Sequence, residues 1–492
     1  MRSFIPRSNE NTAIVFFDSI LIEVEPSCYH HHHHHHHHHT DDTYSINFVT
    51  FAKGFCLFTH LRIALTFSLF FISLVAHADD WPGWMGPKRD NHWRETGILQ
   101  TFPKGGPTVV WRVPVAGGYA GPAVSGGKVF ITDLVTSSDI TVDNFGRSAS
   151  EGHERVLCLD ELTGKELWKH EYRVTYTISY PSGPRCTPTV DGEHVYTLGA
   201  EGHLVCLRVR DGTVEWSKDL KQEYKTKSAL WGYASHPLID GDRLVCVVGT
   251  QEAHAVAFEK RTGKEVWRAN TAPEQGYSPP TIIEAGGQRQ LVFLKPDGVY
   301  AVNPLTGAIL WEAPYGADNG SIIMSPVKVG DYLFIGGFQE KNLLLKLSSE
   351  KPGAEVVWRN KAKHGLSPVN VQPIVADGLI YGFHEKGELR AVQIPSGEVL
   401  WKSGGPLGER PSGSGTAFIV KHADRYFMFS ETGHLVIAKL SPQGYTEIDR
   451  AKVIQPSNVA FGRDVVWCAG AYANRHFFVR NDKECIRVSL AE

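Results

Sequence analysis

The sequence predicts an all-β chain folded as an eight-bladed β-propeller of four-stranded antiparallel blades, closed by an N-terminal strand that joins the last blade. Three observations carry this. Tryptophans recur in one frame, at Trp168, Trp216, Trp267, Trp311, Trp358 and Trp401, with spacings of 48, 51, 44, 47 and 43 residues; a period of that size built from short β-rich runs is that of a propeller blade. Eight apolar second strands fill the period: Val129–Thr132, Val195–Leu198, Leu244–Val248, Leu291–Leu294, Leu333–Gly336, Ile380–Phe383, Tyr426–Ser430 and His476–Arg480. The last unit stops after a third strand near Leu490, whereas an unattached strand, Val109-Val110-Trp111-Arg112, precedes the first. Joining the two closes the ring and removes the open edge between first and last blade.

Each repeat reads in the same order. A Pro-containing first run leads to a turn such as Asp240-Gly241-Asp242 or Asp377-Gly378, then to the apolar second strand. A further Gly turn (Glu201-Gly202, Asp297-Gly298, Lys386-Gly387, Thr432-Gly433) gives the third strand, as in Leu204-Val205-Cys206-Leu207. A Thr-Gly-Lys type turn then precedes the fourth, which ends on tryptophan: Thr163-Gly164-Lys165 to Trp168, and Thr262-Gly263-Lys264 to Trp267. Glycine supplies the positive φ that such tight turns need. The seventh repeat departs from the frame, with Gly444-Tyr445-Thr446-Glu447-Ile448 and no tryptophan; Ile448 is expected in its place.

The chain ahead of the repeats divides into three. Residues 1–60 contain ten consecutive histidines, His30–His39; the run has no apolar face and no reason to fold, and is read as a tag or an over-extended gene start. Residues 61–78 read as a signal peptide: basic flanks, the apolar stretch Ile63–Ala76, and Ala76-His77-Ala78 before Asp79. At 14 residues that stretch is shorter than the roughly 20 needed to cross a bilayer. Translation is expected to begin near Leu61, leaving a secreted or periplasmic mature chain with no membrane span. Residues 79–108 form an N-terminal extension expected to lie across the propeller, which occupies 109–492.

The frame Asp-x-x-Thr-Gly-x-x-x-Trp, clearest at Asp160–Trp168, resembles the tryptophan-docking repeat of the PQQ-like (pyrroloquinoline quinone repeat) propellers. Asp80-Trp81-Pro82-Gly83-Trp84, Gly415–Ala423, Ala473-Asn474-Arg475 and Arg480-Asn481-Asp482-Lys483 look closest to secreted planctomycete-type members. The superfamily includes quinoprotein dehydrogenases and an outer-membrane-assembly propeller. The resemblance covers residues 79–492 and implies the fold; the repeated motif is structural and implies no one function.

The even spacing of Trp111, Trp168, Trp216, Trp267, Trp311, Trp358 and Trp401 makes them blade-packing residues, since a ligand would touch a few blades unequally. Cys158, Cys206 and Cys246 fall in apolar strands as small buried hydrophobes. Cys468 and Cys485 share the last blade, on its first and third strands, and their pairing is left open. The loops between blades supply the candidate ligand-binding residues: Tyr119, Tyr180, Arg185, Trp231, Tyr233, His236, Gln275, Tyr277, Asn319, Asn370, Arg410 and Asn458. Aromatics with polar tips, two arginines and amides suit a planar or sugar-like polar ligand; the same residues also serve as turn and rim residues.

Chemistry is not evident. The loops offer the separated carboxylates Glu274, Asp318, Glu409 and Asp464, whereas a calcium site needs several oxygens close together. No catalytic residue and no metal ligand is assigned, and there is no Cys-Cys pair, haem motif, nucleophile elbow or Walker loop. With 50 basic against 53 acidic residues there is no basic field for nucleic acid. The expectation is a monomeric, non-catalytic scaffold binding a small polar ligand or an envelope protein. The resemblance keeps two alternatives open, a PQQ-dependent dehydrogenase of alcohols or sugars and an outer-membrane-assembly-type propeller.

Overall fold

The computed structural model describes residues 79–141, 144–360, 364–409 and 412–492. The histidine tract, the signal segment and Arg410 lie outside the described residues. Eight sheets, each with four consecutive antiparallel strands and that of blade 7 with a fifth strand added, form blades 1 to 7 (123–178, 189–219, 238–269, 281–314, 327–359, 374–403 and 417–452) and blade 8 (471–489 with Val109–Pro114). Each expected second strand falls within an observed one, apart from the final residue of Leu244–Val248. Val109–Pro114 pairs antiparallel with Glu484–Ser489 as the outermost strand of blade 8, so the two ends of the repeat region share one sheet. The one α-helix among the described residues is the short Leu220–Tyr224, and no helix there is long and apolar enough to cross a membrane.

The core lies between blades rather than within them. Phe130, Val156, Cys158 and Trp168 of blade 1 pack on Val190, Val195, Val205 and Leu207 of blade 2, and the arrangement repeats around the ring. Every outer strand carries a register shift just before the tryptophan position, as where Cys158 faces Trp168 but Leu159 faces Glu166. The bulge turns the indole toward the next blade. There its Nε1 donates to a main-chain carbonyl: Trp168 to Val209 (2.9 Å), Trp216 to Lys260 (2.9 Å), Trp358 to Pro395 (2.8 Å). Trp111, Trp267 and Trp401 do the same, whereas Trp311 donates to the Gln290 side chain at 2.6 Å.

Blade 7 corrects the expectation for Ile448. Ile437 faces Asp449 and Ala438 faces Glu447, so Ile448 is the bulged residue and is exposed. Asp449 holds the tryptophan register, and its carboxylate accepts the Phe102 N–H at 2.7 Å. The cysteines are also settled: all six described are buried and free. Cys468 precedes the first strand of blade 8, Ala471–Ala473, and its thiol points at the Ala120 carbonyl (3.2 Å) rather than at Cys485.

The extension crosses the channel along the innermost strands, from blade 1 to blade 7. Trp81 exchanges two main-chain bonds with Val124, and Val190 donates to Pro82. Arg89 donates to the carbonyls of Pro237 (3.1 Å) and Pro280 (3.4 Å). His92–Trp93 then adds a parallel strand to the inner edge of blade 7. Glu95 accepts from Trp93 Nε1 (2.7 Å) and from the Arg475 N–H (3.0 Å), anchoring the chain against blade 8.

Candidate functional site

Because the extension lies across one end of the channel, the other end becomes a cup. Its volume is about 610 Å³, and Trp81, Trp84, Met85 and Asn91 of the extension line it together with the interblade loops. That size is typical of small-molecule sites, which run from about 300 to 1,000 Å³.

Eight of the twelve loop residues expected at a ligand site share this cup: Tyr119, Tyr180, Arg185, Trp231, His236, Tyr277, Asn319 and Asn370. Three described ones do not line it. Tyr233 is buried in the packing of blades 2 and 3. Gln275 is buried as a bracket, its amide bonded to Ala229 N–H, the Lys227 and Val248 carbonyls and Tyr233 Oη. Asn458 stands behind the wall, donating to Tyr119 Oη and Ser182 Oγ, both at 3.1 Å. A loop residue's type does not say which way a tight turn aims it, and these three turn back to satisfy buried polar groups.

Two groups of rings face the mouth. Phe145, Trp231 and Tyr277 form one, with centroids 6.1 and 5.2 Å apart; Tyr180, Trp467 and Phe461 form the other, at 5.9 and 6.1 Å. Glu431, buried, fixes the second group by accepting from Trp467 Nε1 (2.9 Å) and Arg463 (2.8 Å). Phe145, Phe461 and Trp467 were not singled out from sequence; Phe461 and Trp467 carry the signal that marked Trp231, an aromatic residue in an interblade loop, whereas Phe145 lies between the second and third strands of blade 1.

Arg185 is committed to structure. Its guanidinium donates to the carbonyls of Trp231 (2.9 Å), Ser179 (2.8 Å), Tyr180 (2.6 Å) and Gly183, and packs over the Tyr119 ring. His236 is held neutral: burial, reinforced by the Arg89 charge, pushes its pKa down to about 3. The Glu274 carboxyl at the mouth is raised by burial, with Arg147 opposing.

Pyrroloquinoline quinone, the cofactor implied by the repeat family, is a planar polycarboxylate. Arg185 is the one cation among the described lining residues, and its donors are spent on carbonyls. The anion would therefore enter the cup with no free cation among the described lining residues to pair its charges, at a cost, so the described residues do not fit the quinone.

A further cluster was missed from sequence. Glu340, His384 and Glu385, from neighbouring turns of blades 5 and 6, bring ligand-type atoms within 4.8 Å of one another. The turn itself uses them: Glu385 accepts the N–H groups of Gln339 (2.6 Å) and Glu340 (3.3 Å), and His384 Nδ1 accepts the Ser367 N–H (3.2 Å). Glu340 and Glu385 lie close to one repeat length apart, which is the signal that could have paired them.

The family model described as outer membrane protein assembly factor BamB, a PQQ-type repeat model, matches residues 152–403 and 297–459. The chain belongs to this family. Similar members are the outer membrane protein assembly factor BamB of Yersinia pestis, 24% identical over 343 residues (68% of this chain and 68% of that one), and that of Shewanella oneidensis, 23% identical over 309 residues (61% and 68%). Among solved structures, BamB from Moraxella catarrhalis superposes with a TM-score of 0.50 at 16% identity, covering 77% of this chain and 96% of that one. At that identity the likeness speaks for the propeller fold. In this BamB-family chain the blades carry the family's repeat, while the cup is built by loops and by the extension ahead of the matched segment.

Proposed function

We propose that this chain is a non-catalytic, protein-binding scaffold of the bacterial cell envelope, working outside the cytoplasm with assembly partners that dock on the mouth face of the propeller. Membership in a family described as an outer-membrane assembly factor supports a polypeptide partner. The observation that carries the reading is the rim of the mouth: Phe145, Val459 and Phe461 are 60%, 62% and 53% exposed. Side chains of this size standing in solvent around one opening form the kind of apolar patch that marks an interaction site. The polar groups beneath them are engaged in holding the loops, as Arg185 and Glu431 show, which suits a rigid platform more than a reacting centre.

The test is photo-crosslinking in cells, with the crosslinking residue at Phe461 and, as a control, at Val357 on the outer rim. Adducts to outer-membrane assembly proteins from Phe461 and not from Val357 are expected. Equal adducts at both positions, or none at Phe461, would overturn the reading.

A further inference from the structure

The interior of the cup differs in chemistry from its rim. Trp84 and Trp231 line it with indole N–H groups that have no hydrogen-bond partner among the described residues, as does the phenol of Tyr180. The side-chain amides of Asn91, Asn144 and Asn319 line it too and are likewise unbonded. Every one of these free groups is neutral. Among the described lining residues the charged side chains are Arg185, spent on carbonyls, and Asp318, which stands exposed at the mouth.

From this the geometry points to a binding site for a neutral saccharide of one to a few rings, seated in the cup with a sugar face on the Trp231 ring and its hydroxyls toward the lining amides and the Trp84 indole N–H. The class follows by elimination. Nucleotides and acidic sugars would bring anions for which no free cation stands among the described lining residues. A purely apolar molecule would leave indole N–H groups and amides desolvated and unpaired, each costing about 1–3 kcal/mol. A saccharide offers both complements at once, C–H faces for the rings and vicinal hydroxyls that a carboxamide can serve as donor and acceptor together. An extended polypeptide fits less well, because the extension closes the far end and allows no chain to run through. Trp231 adjoins the rim residue Phe145, 6.1 Å between ring centroids, so the site borders the docking surface; the two readings are told apart because one is read as saccharide binding and the other as adducts at Phe461.

The test is saturation-transfer NMR and calorimetry on the whole protein with cellobiose, maltose and N,N′-diacetylchitobiose. Galacturonic acid, pyrroloquinoline quinone and a blocked neutral pentapeptide serve as comparators. At least one neutral disaccharide should saturate with a Kd on the order of 1 mM or tighter. Trp231→Ala and Asn319→Gly should each weaken it about tenfold or more, glycine being chosen because Asn319 has a left-handed φ of +54°, and Trp231→Phe should retain most of the binding. Asn319 is exposed, so its variant remains informative if Trp231→Ala fails to fold. Silence from all three disaccharides would overturn the inference. So would tighter binding of the quinone or of the peptide with the same dependence on Trp231. Neither result would touch the crosslinking outcome at Phe461.

Discussion

The indole of Trp84 lies on the imidazole of His236 with ring centroids 4.7 Å apart and planes 19° from parallel, so the floor of the cup is shared between the N-terminal extension and the start of blade 3. The Arg89 guanidinium sits over the same indole, 5.1 Å from its centroid. Two elements far apart in sequence, the extension and the start of blade 3, thus fix one flat surface. Because burial and the Arg89 charge keep His236 neutral, that surface carries no titrating charge at ordinary pH.

Stability should fall as the medium is made mildly acidic. His254 is fully buried, bonded through Nδ1 to Tyr300 Oη (2.7 Å) and through Nε2 to the Gln275 carbonyl (2.9 Å), and burial pushes its pKa down to about 4. An unfolded chain takes up that proton near pH 6.5. Between about pH 6.5 and pH 4 the unfolded state therefore binds more protons, and folding loses up to roughly 1.4 kcal/mol per pH unit from this residue. Urea unfolding of wild type at pH 7.5 and pH 5 should show the loss. His254→Gln should be less stable at pH 7.5 but flatter with pH; an unchanged slope would count against the assignment.

The docking of tryptophans on turn glycines should be intolerant of a single methyl group. A Cβ at Gly212 would lie 2.4 Å from the Trp168 ring, and the residue's φ is +72°. Gly212→Ala must therefore shift an indole and also accept a left-handed conformation costing about 1–2 kcal/mol. Trp168→Ala should cost about 3–5 kcal/mol. Because both changes break one contact, the double variant should be well short of additive. Full additivity in urea titrations would show that the two residues act separately.

Local grammar explains what was legible in the sequence. The Gly turns, the apolar second strands and the tryptophan spacing repeat in every blade, so the ring, its eight blades and its closure could be counted. Features that depend on one residue of register or on distant contact could not. Ile448 and Asp449 exchange roles because a bulge, invisible in composition, turns one out and the next in. Arg185 looks like a ligand cation until the carbonyls of its own loop are placed around it. The cup's floor comes from an extension outside the repeat, whose bonds to blades 1, 2, 3, 4 and 7 follow no period.

The seam between blades 8 and 1 should depend on Arg480. Its side chain is wholly buried and donates through Nε to the Asn481 carbonyl (3.1 Å), through Nη1 to Thr132 (2.7 Å), and to Ala116. Two of those carbonyls belong to the far side of the seam. Arg480→Met keeps much of the volume but strands all three, and hydrogen bonds to a charged group are each worth about 1.5–3 kcal/mol. A loss of at least ~3 kcal/mol in urea unfolding is expected. Arg480→Lys should not rescue it, because an ammonium lacks the planar fork that reaches divergent carbonyls. Rescue by lysine would mean that charge alone matters there.

Asp449 should behave unlike the tryptophans whose register it occupies. It holds the extension by accepting the Phe102 N–H, while the Phe102 side chain packs on the core shared by blades 7, 8 and 1. Asp449→Ala removes one charge-assisted bond, about 1.5–3 kcal/mol at most, and the segment it frees lies at the edge of the fold. Hydrogen exchange should therefore quicken at residues 98–102 with little change in Tm. Restoring the repeat with Asp449→Trp should destabilise by about 1–3 kcal/mol, because an indole there meets the extension in place of an open turn. If Asp449→Trp instead raised Tm, the extension would be a loosely placed segment and not an integral part of the seam.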